Sequence, residues 1–170
     1  MKKTFTTLVV ASFLVFYACD NKKEMLNETA TTTVNHAPNT VLDSDETSVD
    51  ANGLPTNSKE FINQHFAETS VGQITKEKNT FGGDEYKVYL SDGTKIEFDS
   101  NGEWKEVENK AGKSIAMGFA PASIIKYLNT NFPEMAVKSI QRDRKGIEVK
   151  LLQNDLELKF DLNGNFLKID

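Results

Sequence analysis

Of the side chains that most often carry reactive chemistry, the 170 residues supply one cysteine, Cys19, and two histidines, His36 and His65. A lone cysteine makes neither an internal disulfide nor a cysteine-based zinc site. His36 lies in a polar stretch and reads as a solvated loop residue. His65 lies beside Phe61, Ile62 and Phe66, so it reads as a histidine at the edge of a core rather than a ligand. Asp99-x-Asn101-Gly102 and Asp161-x-Asn163-Gly164 offer two side-chain oxygens each, too few for the six to eight ligands of calcium, and read as hairpin turns. Asp43, Asp45 and Glu46 lack the glycine and closing glutamate of a calcium loop. Ser, His and Asp occur without a nucleophile elbow or other triad signature. Neither a catalytic residue, a metal site nor a cofactor is expected. The formal net charge of −5 argues against nucleic acid, which is held by clustered Lys and Arg.

Recognition by a surface is the chemistry that remains, and the residues for it lie on alternating strands. Tyr86, Val88 and Leu90 share one face, so Lys87 and Tyr89 share the other. The same period places Lys95, Glu97 and Asp99 with them, and Glu148, Lys150, Leu152, Glu157 and Lys159 in the second half of the chain. Lys87, Tyr89, Glu97, Lys150, Leu152 and Lys159 are therefore the candidate binding face for a protein, peptide or small ligand. Mixed charge with an aromatic and a leucine suits an interface. The plainer alternative is a merely solvated sheet face.

Three segments position these residues. Residues 1–18 open with Lys2 and Lys3 and continue as an apolar run, Leu8 to Ala18. Eleven helical residues span about 16 Å, roughly half a bilayer core of about 30 Å, which fits an export signal better than a membrane span. Phe16-Tyr17-Ala18-Cys19 resembles the bacterial lipobox, whose cysteine is acylated and becomes the mature N-terminus. That resemblance implies a lipid anchor at Cys19 and a place in the cell envelope, on the periplasmic or the outer-membrane surface side. Residues 19–52 follow as the lipidated cysteine and a disordered tether. Residues 20–52 carry seven acids and two bases, lack aromatic residues and show no sustained period. A flexible chain of that length spans about 30 Å.

Residues 53–170 hold all the aromatic residues outside the signal, and two stretches there match each other. Pro55, Phe61, Ile62, Asn63, Phe66, Glu68, Val71 and Ile74 align with Pro121, Tyr127, Leu128, Asn129, Phe132, Glu134, Val137 and Ile140 at a constant offset. Later, Ile96, Phe98, Asp99, Asn101, Gly102, Trp104 and Val107 align with Leu158, Phe160, Asp161, Asn163, Gly164, Phe166 and Ile169. Agreement in order and spacing marks a duplication. The expected fold is α+β: two tandem repeats, 53–108 and 119–170, joined by a connector at 109–118. Each repeat is one helix packed on a small antiparallel sheet of about four strands. Pro55 and Pro121 open the helices and Pro133 stops the second. The first strands are expected near 72–80 and 136–144, and Asn101-Gly102 and Asn163-Gly164 as type I′ turns.

The run Tyr86-Lys87-Val88-Tyr89-Leu90…Asp92-Gly93…Ile96-Glu97-Phe98-Asp99…Asn101-Gly102-Glu103-Trp104, with its second copy ending Phe160-Asp161…Asn163-Gly164, resembles the PepSY-like lipoproteins of Bacteroidetes-type bacteria. Family members look like β-lactamase-inhibitor-protein folds. The resemblance implies a binding or inhibitory module, not catalysis, and brings no catalytic residue with it. Two functions follow as expectations: an envelope binding protein, or a stoichiometric inhibitor or modulator of an envelope protease or β-lactamase.

Overall fold

The computed structural model of the chain describes residues 45–79 and 83–170. The signal segment, Cys19 and most of the tether, His36 included, lie outside those residues.

Alternation makes the strands, interrupted at register shifts in β2, β4, β6 and β8. Nine strands pair in chain order, each antiparallel to the next: β1 (Glu46–Ser48), β2 (Val71–Asn79), β3 (Gly83–Leu90), β4 (Thr94–Phe98), β5 (Trp104–Asn109), β6 (Val137–Arg142), β7 (Ile147–Leu151), β8 (Glu157–Phe160) and β9 (Phe166–Ile169). One apolar row crosses the sheet through direct pairs: Ile74, Val88, Ile96, Val107, Ile140, Val149, Leu158 and Ile169. The neighbouring row on the opposite face is polar: Ser48, Thr75, Lys87, Glu97, Glu106, Gln141, Glu148, Lys159 and Lys168.

Two helices cover the apolar face. α1 (Thr56–His65) and α2 (Ala122–Asn131) each follow a proline in the N-cap position, Pro55 and Pro121. Each ends at a phenylalanine whose N–H donates four residues back, Phe66 to Ile62 and Phe132 to Leu128. Pro133 lies two residues past the second helix, so the chain before it leaves the helical region. Phe61 of α1 meets Phe98 edge-on at 5.6 Å, and Tyr127 of α2 meets Phe160 at 5.4 Å. These T-shaped contacts are the favoured geometry for paired rings. Phe98 and Phe160 are almost fully buried beneath them.

Two separate helix-on-sheet repeats are not what forms. β5 pairs with β6 through Glu106↔Gln141, Val107↔Ile140 and Glu108↔Ser139, so a single nine-stranded sheet runs through both halves. A four-stranded sheet standing alone would leave a row of unpaired backbone groups on each edge. Joining the halves pairs one edge of each and removes Val107 and Ile140 from water completely. The connector is also part of the core rather than a free link. Ile115 is buried and donates to Val137 O, while Phe119 packs against Phe61, Phe66, His65 and Trp104.

The tether reading also needs correcting at its end. Glu46–Ser48 forms β1 on the edge of β2, and Asp50 caps a 3-10 turn at Ala51–Gly53 by accepting from Asn52 N and Gly53 N. Three paired residues carry no readable period, so only the waiting edge of β2 makes them a strand. The Asn-Gly turns differ from expectation too. Only Gly102 and Gly164 take positive φ, at 84° and 79°, and Asn101 and Asn163 do not. A type I′ turn needs both. Instead Asp99 and Asp161 accept from the N–H groups two and four residues ahead, which holds the five-residue turn.

Candidate functional site

Among the described residues no helix lies on the polar face of the sheet, and its charged residues are arranged by register rather than by sequence proximity. Lys87 and Glu97 stand directly opposite each other, as do Tyr89 and Lys95, and Glu97 and Glu106. Lys95 Nζ reaches Glu97 Oε1 at 2.6 Å and Glu106 Oε2 at 2.9 Å, and Lys95 is buried. Lys87 bridges two strands, donating to Glu46 of β1 and to Glu77 Oε2 of β2 at 3.0 Å. Burial opposes charge on both lysines, but their carboxylate partners outweigh it and hold each ammonium above its ordinary value. The same balance runs the other way for Glu97, where burial is outweighed by Lys95 and the carboxyl is held below its ordinary value. Burial first, and then the Glu46 carboxylate, push the Tyr89 phenol up.

A cavity of about 540 Å³ opens between these groups. Lys87, Tyr89, Lys95 and Glu97 form its floor, Gln73 one side, and Gly93, Thr94, Lys110 and Ala111 the end where the β3–β4 turn meets the end of β5. Its size is that of a small-ligand or single-side-chain pocket.

Three of the six sequence-derived positions, Lys87, Tyr89 and Glu97, therefore line one cavity. The other three do not join it. Lys159 pairs with Asp170 Oδ2 at 2.6 Å and with Glu148 Oε2 at 3.4 Å, and borders a second depression of about 400 Å³ beside Gln141, Lys145 and Leu167. Lys150 pairs with Glu157 Oε1 at 3.2 Å, and Leu152 lies just past β7, half-buried, donating its N–H to Ala136 O. His65 is at the core edge, its ring 4.9 Å from Phe61. Trp104 packs edge-on against Phe119 at 5.3 Å, with the Arg142 guanidinium 4.7 Å from its ring.

Sequence reasoning missed the residues that complete the cavity, Gln73 and Lys110, and the Glu106 that locks Lys95. It also missed Thr75, which stands between Ser48 and Lys87 on the same face, fully buried, with no hydrogen-bond partner for its hydroxyl among the described residues. Period 2 places all but Lys110 on the correct face, and only the strand register brings them side by side. Among the described residues no three of His, Cys, Asp or Glu stand together as metal ligands. No described helix is long and apolar enough to cross a membrane.

The described residues thus form an antiparallel sheet with helices on one face and an open, charge-laced face on the other. Residues 36–82 and 84–168 match the family described as "Putative beta-lactamase-inhibitor-like, PepSY-like", and the chain belongs to that family. Crystal structures with the same architecture come from Bacteroides. A Bacteroides thetaiotaomicron protein described as "a putative calcium-regulated periplasmic protein" superposes with a TM-score of 0.68 at 39% identity, covering 74% of this chain and 97% of its own. A Bacteroides vulgatus "putative periplasmic protein of unknown function" gives 0.67 at 40% identity over 74% and 98%. A second B. vulgatus protein, of the DUF2874 family, gives 0.68 at 35% over 75% and 98%. No curated protein sequence matches the chain.

Proposed function

We propose that the chain is a non-enzymatic, lipid-anchored binding protein of the cell envelope, whose partner seats on the open sheet face over the cavity at Tyr89. What carries the reading is that cavity, set in a face that neither helix covers. The state of its charged groups supports recognition rather than catalysis. Lys87 and Lys95 are held above their ordinary values and Glu97 below its own, all away from neutrality. A general acid or base works best with a pKa near the operating pH. The periplasmic description of the neighbours supports the envelope, and Cys19 supplies the anchor.

A second reading, a stoichiometric inhibitor or modulator of an envelope enzyme, is favoured by the inhibitor-like description of the family. Calcium regulation is stated for the B. thetaiotaomicron protein. In this chain Asp99 and Asp161 each accept from the backbone of their own turns with one carboxylate oxygen, and the second oxygen of Asp161 accepts from Asn165 Nδ2 at 2.9 Å.

One experiment tests the function. The full chain, expressed in its host with a palmitate analogue, is captured from envelope membranes together with whatever it holds. Label on the wild type and none on Cys19→Ala supports the anchor, and label that persists in the variant refutes it. Loss of the co-captured partner in Tyr89→Ala supports the face, and undiminished capture counts against it. An enzyme recovered and slowed at equimolar ratio selects inhibition; any other partner selects binding.

A further inference from the structure

We propose that β9 is a docking edge for β2 of a second copy of this chain, and that β1 is the displaceable strand that keeps that joint closed. The inference is independent of what the open face binds.

The sheet contains the same joint twice already. β5 presents Glu106-Val107-Glu108 to Ser139-Ile140-Gln141 of β6, with Val107 opposite Ile140. At the start of the sheet, Ser48-Val49-Asp50 lies along Gln73-Ile74-Thr75 of β2: Ser48 pairs with Thr75 and Val49 N donates to Ile74 O at 3.0 Å. In each case one strand offers a β-branched apolar residue followed by an acid. The receiving strand offers isoleucine between two uncharged polar residues, just after a register shift. Val107 and Ile140 are fully buried, and Val49 packs against the core.

β9 carries the offering pattern a third time, as Lys168-Ile169-Asp170, and among the described residues no strand receives it. Ile169 continues the buried apolar row beyond Leu158, yet it is 46% exposed. Leu167, two residues before it, is 59% exposed, so two of the four large exposed apolar side chains among the described residues lie on β9. An unpaired strand edge bordered by apolar side chains is a template for another strand.

The matching receiver is on every copy. With β1 displaced, β2 would meet β9 with Lys168 opposite Thr75 and Ile169 opposite Ile74, repeating the joint between β5 and β6. The contact is head-to-tail, with different surfaces on the two copies, so it would join more than two copies into a ring or an open chain. Three paired residues in β1 stand in its way, and being tethered they compete at an effective concentration of roughly millimolar. The free chain is therefore expected to be a monomer whose assembly is released when β1 is lifted.

The test uses the full chain with Cys19→Ala, followed by sedimentation. The parent protein sediments as a monomer. Val49→Lys places a charge where β1 meets the core, and its mean mass rises with concentration. Adding Ile169→Lys to that variant restores the monomer. A folded Val49→Lys protein that stays monomeric, or a double variant that still assembles, overturns the proposal. A second measurement covers failure of Val49→Lys to fold. A synthetic peptide of residues 136–143, which carries the strand that receives β5, is titrated into the Cys19→Ala protein, and amide exchange is read at 166–169. Slower exchange there, lost with Ile169→Lys, supports the edge, and unchanged exchange overturns it. Peptide protection combined with a folded, monomeric Val49→Lys protein means that the edge takes some other strand, which overturns the assignment to a second copy.

Discussion

Lys95 sits on the water-facing side of the sheet and is nevertheless buried, its ammonium held between Glu97 and Glu106. Those two glutamates face each other across β4 and β5, so the lysine is what permits them to stand together. Lys95→Met should destabilise the fold by about 3 kcal/mol or somewhat less, since it leaves two carboxylates opposed that keep some water. The pH dependence follows from the directions of the shifts. Glu97 is lowered from 4.5, so its contribution is complete above that value and is lost as pH falls through the lower folded value. Lys95 is raised from 10.5, so its contribution is complete below that value and is lost as pH rises through the higher folded value. The difference in melting midpoint between parent and Lys95→Met should hold across the neutral range and shrink in strong acid. A difference that does not change in acid would mean that the ion pairs contribute nothing.

Each helix is seated on an Asn-Gly turn, and the two glycines carry that contact. A Cβ on Gly102 would stand 2.9 Å from Ser58 N and from Pro55 Cβ, at the start of α1. On Gly164 it would overlap the Ser123 side chain, whose hydroxyl donates to Asn163 O at 3.0 Å at the start of α2. Gly112, at φ 72°, has open space around it. Gly112→Ala should therefore cost about 1 kcal/mol from backbone strain alone. Gly102→Ala and Gly164→Ala should each lower the melting midpoint further, because the helix must shift as well. Equal effects at all three positions would show that the helix–turn contact contributes nothing. The glycine requirement was legible in the turn sequence. Its second cause, a helix N-terminus pressed against the turn, was not, because forty or more residues separate the two in the chain.

The described residues form one sheet covered by two helices, and their stability should reflect that. Ile140 has no exposed surface and pairs with Val107 across the joint between the halves. Ile140→Ala should cost about 2–5 kcal/mol. Calorimetry should show parent and variant each unfolding in one transition, because β5 and β6 lose their shared row together. Two separated transitions would mean that the halves fold independently. The aromatic cluster around Phe119 ties α1, the connector and Trp104 into the same unit. The local sequence announces little of this: Ile115 and Met117 in the connector and Phe119 just after it make only a short alternation among small and polar residues.

By itself the sequence determined which apolar residues face inward along β3, β4, β7 and β8, where the helices begin, and where the chain turns. It also placed Lys87, Tyr89 and Glu97 on one face, and its motifs pointed to the PepSY-like family. These are local matters: period 2, proline at a helix start and glycine at positive φ act within a few residues. Only the tertiary structure decided that β5 meets β6, that β1 caps β2, and that Lys95 is enclosed by Glu97 and Glu106 beside a cavity reached by Lys110. Strand pairing is made by backbone N–H and C=O groups, which are alike at every residue and carry no label in the sequence. The choice of partner strand therefore rests with the whole chain, through the apolar rows that a given pairing buries.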